Sequence, residues 1–296
     1  MTGPMTRRNL ALTAPATVYL ALLMIAPLLL MVYVSFLERA PFGGVLWGNW
    51  TTVAYEKLVV ERDLMGKLAI NTDYLSIFAR SFQLAGITTV LTLLVGVPTA
   101  LYMTTLTRRN AAIVLFLITV PFWTNLLVRN FAWILILRNG GSLDWVLQTL
   151  GLTQQPIDLL YTPIATGIGL TYSFLPFMIL PTYVALERID RRLIEAAFDL
   201  GADRWRVLQR VVFPLAMPGI VAGAVLVFVP CLGAYVSPEL LGGGKSLMIG
   251  NLVQAQFGES RNWPFGAALG MVLVLILLLA LGLLALLNRR SPRRAS

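Results

Sequence analysis

The sequence predicts an all-α integral membrane protein of about six transmembrane helices. Of its 296 residues, 57% are hydrophobic and only 12% are charged, about half the charged share of an ordinary soluble chain. Its apolar residues gather in six runs of about 20 residues, the length a helix needs to cross the hydrocarbon core while satisfying its own backbone polar groups. Its basic residues fall in alternate gaps between those runs.

The predicted spans run from Ala14 to Leu37, Phe82 to Leu106, Ala111 to Leu137, Pro163 to Leu186, Leu215 to Val236 and Phe265 to Leu287. Short loops rich in Lys and Arg stay cytoplasmic. Arg7 and Arg8 precede span one, Arg108 and Arg109 separate spans two and three, six Arg lie between spans four and five, and four Arg follow span six. These compartments hold 14 of the 23 basic residues, whereas the opposite side holds nine of the 14 acidic ones. Both termini are therefore expected in the cytoplasm. Thr6-Arg7-Arg8 imitates a twin-arginine export signal, but the apolar run behind it is longer than a signal core, so an uncleaved span is expected.

Residues 1–296 read as a single transmembrane domain, with an outer loop over 38–81 and a cytoplasmic loop over 187–214. The outer loop carries Trp47 and Trp50, residues suited to the membrane interface. A short helix within Leu64 to Ile77 is expected there.

Several function classes are excluded. The chain has no His and one Cys, Cys231, inside an apolar run, so His-based acid-base chemistry, His metal ligation and an internal disulfide are ruled out. Net charge is +9, but the basic residues flank apolar runs instead of forming a face interleaved with aromatics, which argues against nucleic acid. Gly242-Gly243-Gly244-Lys245-Ser246 ends like a phosphate-binding loop. The full pattern needs glycine at 239, which is Glu239, and no strand precedes it. It reads as a flexible outer loop, so no cofactor is expected on this chain.

The cytoplasmic loop holds the strongest motif. Leu193, Ala196, Ala197 and Leu200 recur at helical spacing and Gly201 interrupts them. A second helix is expected from Asp203 to Val212, giving helix, bend, helix along the inner membrane surface. Glycine suits the bend because it takes positive φ freely, and the alanines let another surface approach closely. Glu195-Ala196-Ala197, Asp199, Gly201 and Phe213-Pro214 together resemble the EAA loop of binding-protein-dependent ABC importer permeases. Phe213 stands where that family usually has leucine. The resemblance implies that Glu195, Ala196, Ala197, Asp199, Gly201 and Pro214 form a coupling helix seated on an ATP-binding subunit, which supplies the ATP and Mg chemistry.

Within the spans, prolines at 27, 98, 121, 176, 181 and 230 fit either a lined pathway or packing kinks. Arg129 fits either substrate contact or a side chain snorkelling toward the interface. Trp123, Asn125, Tyr172, Phe174 and Tyr235 are candidates for the lining, with Glu239 at the outer mouth, since aromatic faces and a carboxylate attract organic cations. Pro121 to Trp133, Leu175 to Tyr183 and Asn262 to Ala268 resemble the spermidine/putrescine permeases.

That resemblance implies a bacterial inner-membrane complex with a second permease, two copies of an ATPase and an extracytoplasmic solute-binding protein. Relatives of this type are also associated with opines, γ-aminobutyrate and other small carboxylate solutes. No Asp or Glu lies deep in a span, so recognition of a polycation would rest on aromatics, mouth carboxylates or the binding protein. An ion-coupled secondary transporter competes with this reading, because its broken helices would also explain the prolines. The EAA loop has no purpose there.

The charge distribution sets a direct test of orientation. A fluorescent-protein fusion at the C-terminus should fluoresce and an alkaline phosphatase fusion at the same point should be inactive; the reverse pair of results would invert every loop assignment.

Overall fold

The computed structural model describes residues 7–62 and 68–290. In chain order its elements are α1 (Arg7–Ser35), β1 (Leu37–Arg39), β2 (Val45–Trp50), α2 (Val53–Val59), β3 (Val60–Arg62), β4 (Leu68–Ile70), α3 (Thr72–Thr105), α4 (Arg108–Trp123) and α5 (Leu126–Leu137). They continue as α6 (Ser142–Thr149), α7 (Pro163–Glu187), α8 (Arg191–Asp199), α9 (Arg204–Val207), a π-helical turn (Leu208–Val212), α10 (Phe213–Leu232), α11 (Val236–Gly242), α12 (Ile249–Phe257) and α13 (Trp263–Arg290). Among the described residues, five helices are long and apolar enough to span a membrane, and α4 with the stretch Leu126–Thr149 brings the number to six when the bent pair is counted as one span. The predicted architecture is thus observed.

Two expectations about span geometry are corrected. The third span is not continuous from Ala111 to Leu137: α4 and the stretch Leu126–Thr149, which is α5 with α6, meet at 96°. Thr124 and Asn125 make the break, for the Thr124 N–H and hydroxyl both turn back to the Pro121 carbonyl, at 3.3 and 2.6 Å. The Asn125 side chain then accepts the Leu127 N–H at 2.8 Å and starts α5 afresh. The second correction is that the span expected at Phe82 begins ten residues earlier, at Thr72, where Asn71 Oδ1 accepts the N–H groups of Asp73 and Tyr74. Of the short helix expected within Leu64 to Ile77, residues 68–70 are strand, Thr72 onward is the start of α3, and 64–67 lie outside the described residues.

The chain divides into two compact units, one of residues up to 75 with those from 252 onward, the other of residues 76–251. In the first, the segment after α1 folds as two antiparallel hairpins, β1 with β2 and β3 with β4. Trp47 and Trp50 pack on Tyr33, in the last turn of α1, with ring centroids 6.1 and 5.2 Å away. Ser35 Oγ and the Tyr55 hydroxyl are 2.8 Å apart and fasten α1 to α2. Arg39 donates to the Ser260 carbonyl at 2.8 Å, tying the first hairpin to the turn before α13.

In the second unit the core lies where α3, α7 and α10 meet. Val97, Ala100 and Met103 pack with Ile179, Leu186, Ala216 and Ile220. Glycine permits the close approach. A Cβ at Gly219 would strike the Ala185 methyl and come within 2.6 Å of the Pro181 carbonyl oxygen, and one at Gly223 would lie 3.0 Å from Met178 Sδ. A second cluster of Leu137, Leu160, Ala165 and Leu241 joins α5, α7 and α11. Between α5 and α7 the buried Asp144 carboxylate accepts the backbone N–H groups of Gly140 and Ile157 and the Gln148 amide, at 3.1 to 3.2 Å, and fixes that connection.

Overpacking a filled contact costs roughly 1–3 kcal/mol. Gly219→Val should therefore lower the melting temperature of the detergent-solubilised protein, whereas Gly86→Ala, at a site with nothing within 4 Å, should leave it unchanged.

Candidate functional site

The loop between α7 and α10, expected on the cytoplasmic side, is built by its caps. The Asp190 side chain accepts the Arg192 N–H at 3.0 Å and begins α8. At the other end the Gly201 N–H donates to the Phe198 carbonyl and the Ala202 N–H to the Ala197 carbonyl, at 2.9 and 3.0 Å. This paired closure requires a left-handed residue at 201, and Gly201 has φ of +80°. No atom lies within 4 Å of where its Cβ would be, so the demand for glycine is conformational, not steric. Asp203 then accepts the Arg206 N–H at 2.7 Å and begins α9.

The helix expected from Asp203 to Val212 is not a separate surface element. It runs through the π turn into α10, and residues Arg204–Leu232 form one span. Pro214 explains the widened turn: it has no N–H, and its ring conflicts with the carbonyl four residues back. The Phe213 N–H reaches five residues back to the Leu208 carbonyl, so the helix relaxes without breaking.

The apolar side of α8 is open. Leu193 is 50% exposed and Leu200 89% exposed, with Glu195, Ala196 and Asp199 exposed beside them. Glu195 also lines a groove of about 830 Å³ with Arg108, Glu187 and Arg191. Glu195, Ala196, Ala197 and Asp199 thus lie on α8, Gly201 closes it, and Pro214 stands at the start of α10.

The seven pathway candidates separate into local groups. Arg129 lies just past the break, its Cζ 5.7 Å from the centre of the Phe122 ring and its Nε shielded without a hydrogen-bond partner. Phe122 packs on Phe177, and Phe177 on Phe174, with centroids 5.2 and 6.1 Å apart. Tyr172 meets Trp133 edge to face at 5.5 Å. Tyr235 and Glu239 lie a helical turn apart and are joined by Asn251, whose amide donates to the Tyr235 carbonyl at 2.9 Å and to Glu239 Oε2 at 2.7 Å. Trp123 stands apart, 79% exposed and touching Phe116, while Asn125 serves as a helix cap.

Sequence reading missed Phe122, Phe177, Asn130 and Asn251. Asn130 is buried, donates to the Leu126 carbonyl at 2.8 Å and leaves its Oδ1 unpaired. A buried amide in an apolar helix was the available signal. The glycine-rich fragment is also corrected: it is a packed turn, not a flexible loop. Gly243 and Gly244 take φ of +56° and +74°, Tyr161 packs on Gly243, Ser246 is buried, and Arg80 donates to the Lys245 carbonyl at 3.1 Å.

With its broken span and its glycine-capped loop between α7 and α10, the chain compares with known proteins as a permease of the ABC importer class. A bacterial ABC transporter that imports the acidic polysaccharide alginate has the same fold over 96% of this chain and 95% of its own, with a TM-score of 0.71 at 15% identity. The same transporter type in complex with a pentasaccharide-bound periplasmic protein gives a TM-score of 0.63.

Residues 84–292 match the binding-protein-dependent transport system inner membrane component family, and the chain belongs to that family. It is similar to the spermidine/putrescine transport system permease protein PotB of Escherichia coli (strain K12), 36% identical over 275 residues that cover 93% of this chain and 94% of that one. PotB of Haemophilus influenzae is 43% identical over 209 residues, covering 71% of this chain and 73% of its own.

Leaving a buried donor or acceptor unpaired costs roughly 1–3 kcal/mol. Asn251→Leu should therefore destabilise the protein by about that much in thermal unfolding, while Glu239→Gln, which keeps an acceptor for Asn251, should not.

Proposed function

We propose that this chain is the membrane-spanning subunit of an ATP-driven importer of small amine-containing solutes, of the spermidine and putrescine class. The observation that carries the proposal is the glycine-capped α8 with an exposed apolar side, linked by the tight Gly201 turn to α9, which runs without a break into a membrane span. An isolated surface helix needs no such linkage. A helix that receives force does.

ATP is hydrolysed on two copies of a separate ATP-binding subunit, which holds the Mg ion. A solute-binding protein delivers cargo from outside, and a second permease completes the pathway. Similarity to PotB over most of both chains supports the solute class. Movement at α8 shifts the inner ends of α7 and α10 and exposes a central site to each side in turn. Tyr235 and Glu239 present an aromatic ring and a carboxylate to an incoming cation, since one Glu239 oxygen is held by Asn251 and the residue stays exposed. Both termini lie in the cytoplasm, as the basic residues imply.

Arg129 favours a second solute class. Its half-buried side chain, with Nε unpaired, suits an amine that also carries a carboxylate, such as an opine or γ-aminobutyrate.

The assembled complex in proteoliposomes should take up labelled spermidine or putrescine when ATP is supplied without an ion gradient. Uptake on a gradient alone would overturn the proposal, and competition by amino-carboxylates but not polyamines would select the second solute class. Gly201→Val forces a β-branched residue into left-handed geometry, at a cost of roughly 1–2 kcal/mol. It should abolish ATP-coupled uptake while the protein remains in the membrane; normal uptake would remove α8 from the mechanism.

A further inference from the structure

The loop that carries α8 also contains a concavity of its own. Between α8, the Gly201 turn and the start of α9 lies a space of about 290 Å³. Its wall is apolar, including Ala197, Ala202, Val207 and Val211, and Arg206 and Arg210 complete the lining. The two arginines differ. Arg206 is already held by Asp203, Nε to Oδ2 at 3.7 Å, whereas Arg210 has no ion-pair or hydrogen-bond partner among the described residues.

The local carboxylates are engaged elsewhere or lie outside the concavity. Asp190 and Asp203 hold the N–H groups that begin α8 and α9. Glu195 lines the larger groove beside Arg108 and Arg191, and Asp199 does not line the smaller space. Between residues 188 and 210 the chain has six arginines against four carboxylates. An apolar wall with one uncommitted guanidinium is complementary to a side chain with a short aliphatic stem and an acidic head.

Resting on the importer reading, we propose that the ATP-binding subunit inserts a Glu or Asp side chain into this concavity and that Arg210 pairs with it. Docking is then reciprocal: α8 enters the partner and the partner enters the loop. The second contact matters mechanically. A helix seated in a groove can be pushed, but pulling it back needs an attachment, and a carboxylate clasped behind the Gly201 turn supplies one.

The composition of the chain provides a clean test. Its three lysines, Lys57, Lys67 and Lys245, all fall in outer segments, so Arg210→Lys introduces the sole lysine amine of the cytoplasmic segments. In the assembled, ATP-dependent complex, a zero-length carbodiimide should join that amine to a carboxylate of the ATP-binding subunit, located by peptide mass spectrometry. Arg210→Glu should lower ATP-driven uptake about tenfold or more, and changing the cross-linked carboxylate to Arg in the same complex should restore it.

Absence of a cross-link in an assembled, active complex would overturn the contact. So would a cross-link only to the second permease, or a loss in Arg210→Glu reproduced by removing anionic lipid, which would assign Arg210 to phosphate headgroups. A purified complex that holds no ATP-binding subunit would instead contradict the importer reading, and the contact with it.

Discussion

The close packing of α7 on α10 is the constraint on which the rest depends. Gly219 and Gly223 remove the side chains that would hold these helices apart, and Pro181, Ala185 and Met178 fill the space. The loop that carries α8 joins these two helices and no others. Its own residues continue the packing, with Val207 buried and Ile189, Val212 and Phe213 set against the core of α3, α7 and α10. A displacement of α8 therefore acts on two spans that are locked together. The π turn contributes by keeping the backbone helical through Pro214, where a plain α-helix would kink and absorb the movement.

The broken third span solves a different problem. A straight α4–α5 helix would carry Arg129 and Asn130 along a continuous apolar rod. Ending α4 on Thr124 and restarting α5 on Asn125 satisfies the freed backbone groups locally, the condition for a break at membrane depth. It also places Arg129 against Phe122, whose ring and the Phe177 and Phe174 rings behind it form an apolar shelf for the guanidinium.

Much of the span pattern was legible in the sequence, because hydropathy reports where a chain meets lipid. The runs at 14–37, 163–186 and 265–287 coincide with α1, α7 and α13 to within a few residues at most outer or inner ends, and the glycine after Ala196-Ala197 marked a real left-handed cap. Direction was not legible. A hydropathy run reports composition, so the 96° turn at Thr124 and Asn125 looked like uninterrupted span, and the capping role of Asn125 was not visible. Tertiary contacts were equally hidden. The three glycines at 242–244 suggested freedom, yet Tyr161 and Arg80, distant in sequence, hold that turn in place. The union of Tyr235 and Glu239 through Asn251 also depends on folding that no local pattern records.

A spin-label distance within the assembled transporter tests the central claim, that the loop and span five move as one body. Labels at Arg192→Cys and Val221→Cys, in a chain carrying Cys231→Ser, would sit on α8 and α10. The account expects the distance between them to be the same in nucleotide-free and ATP-bound complexes that have been shown to transport. A distance that changes with nucleotide would place a hinge at Gly201 or the π turn and contradict it.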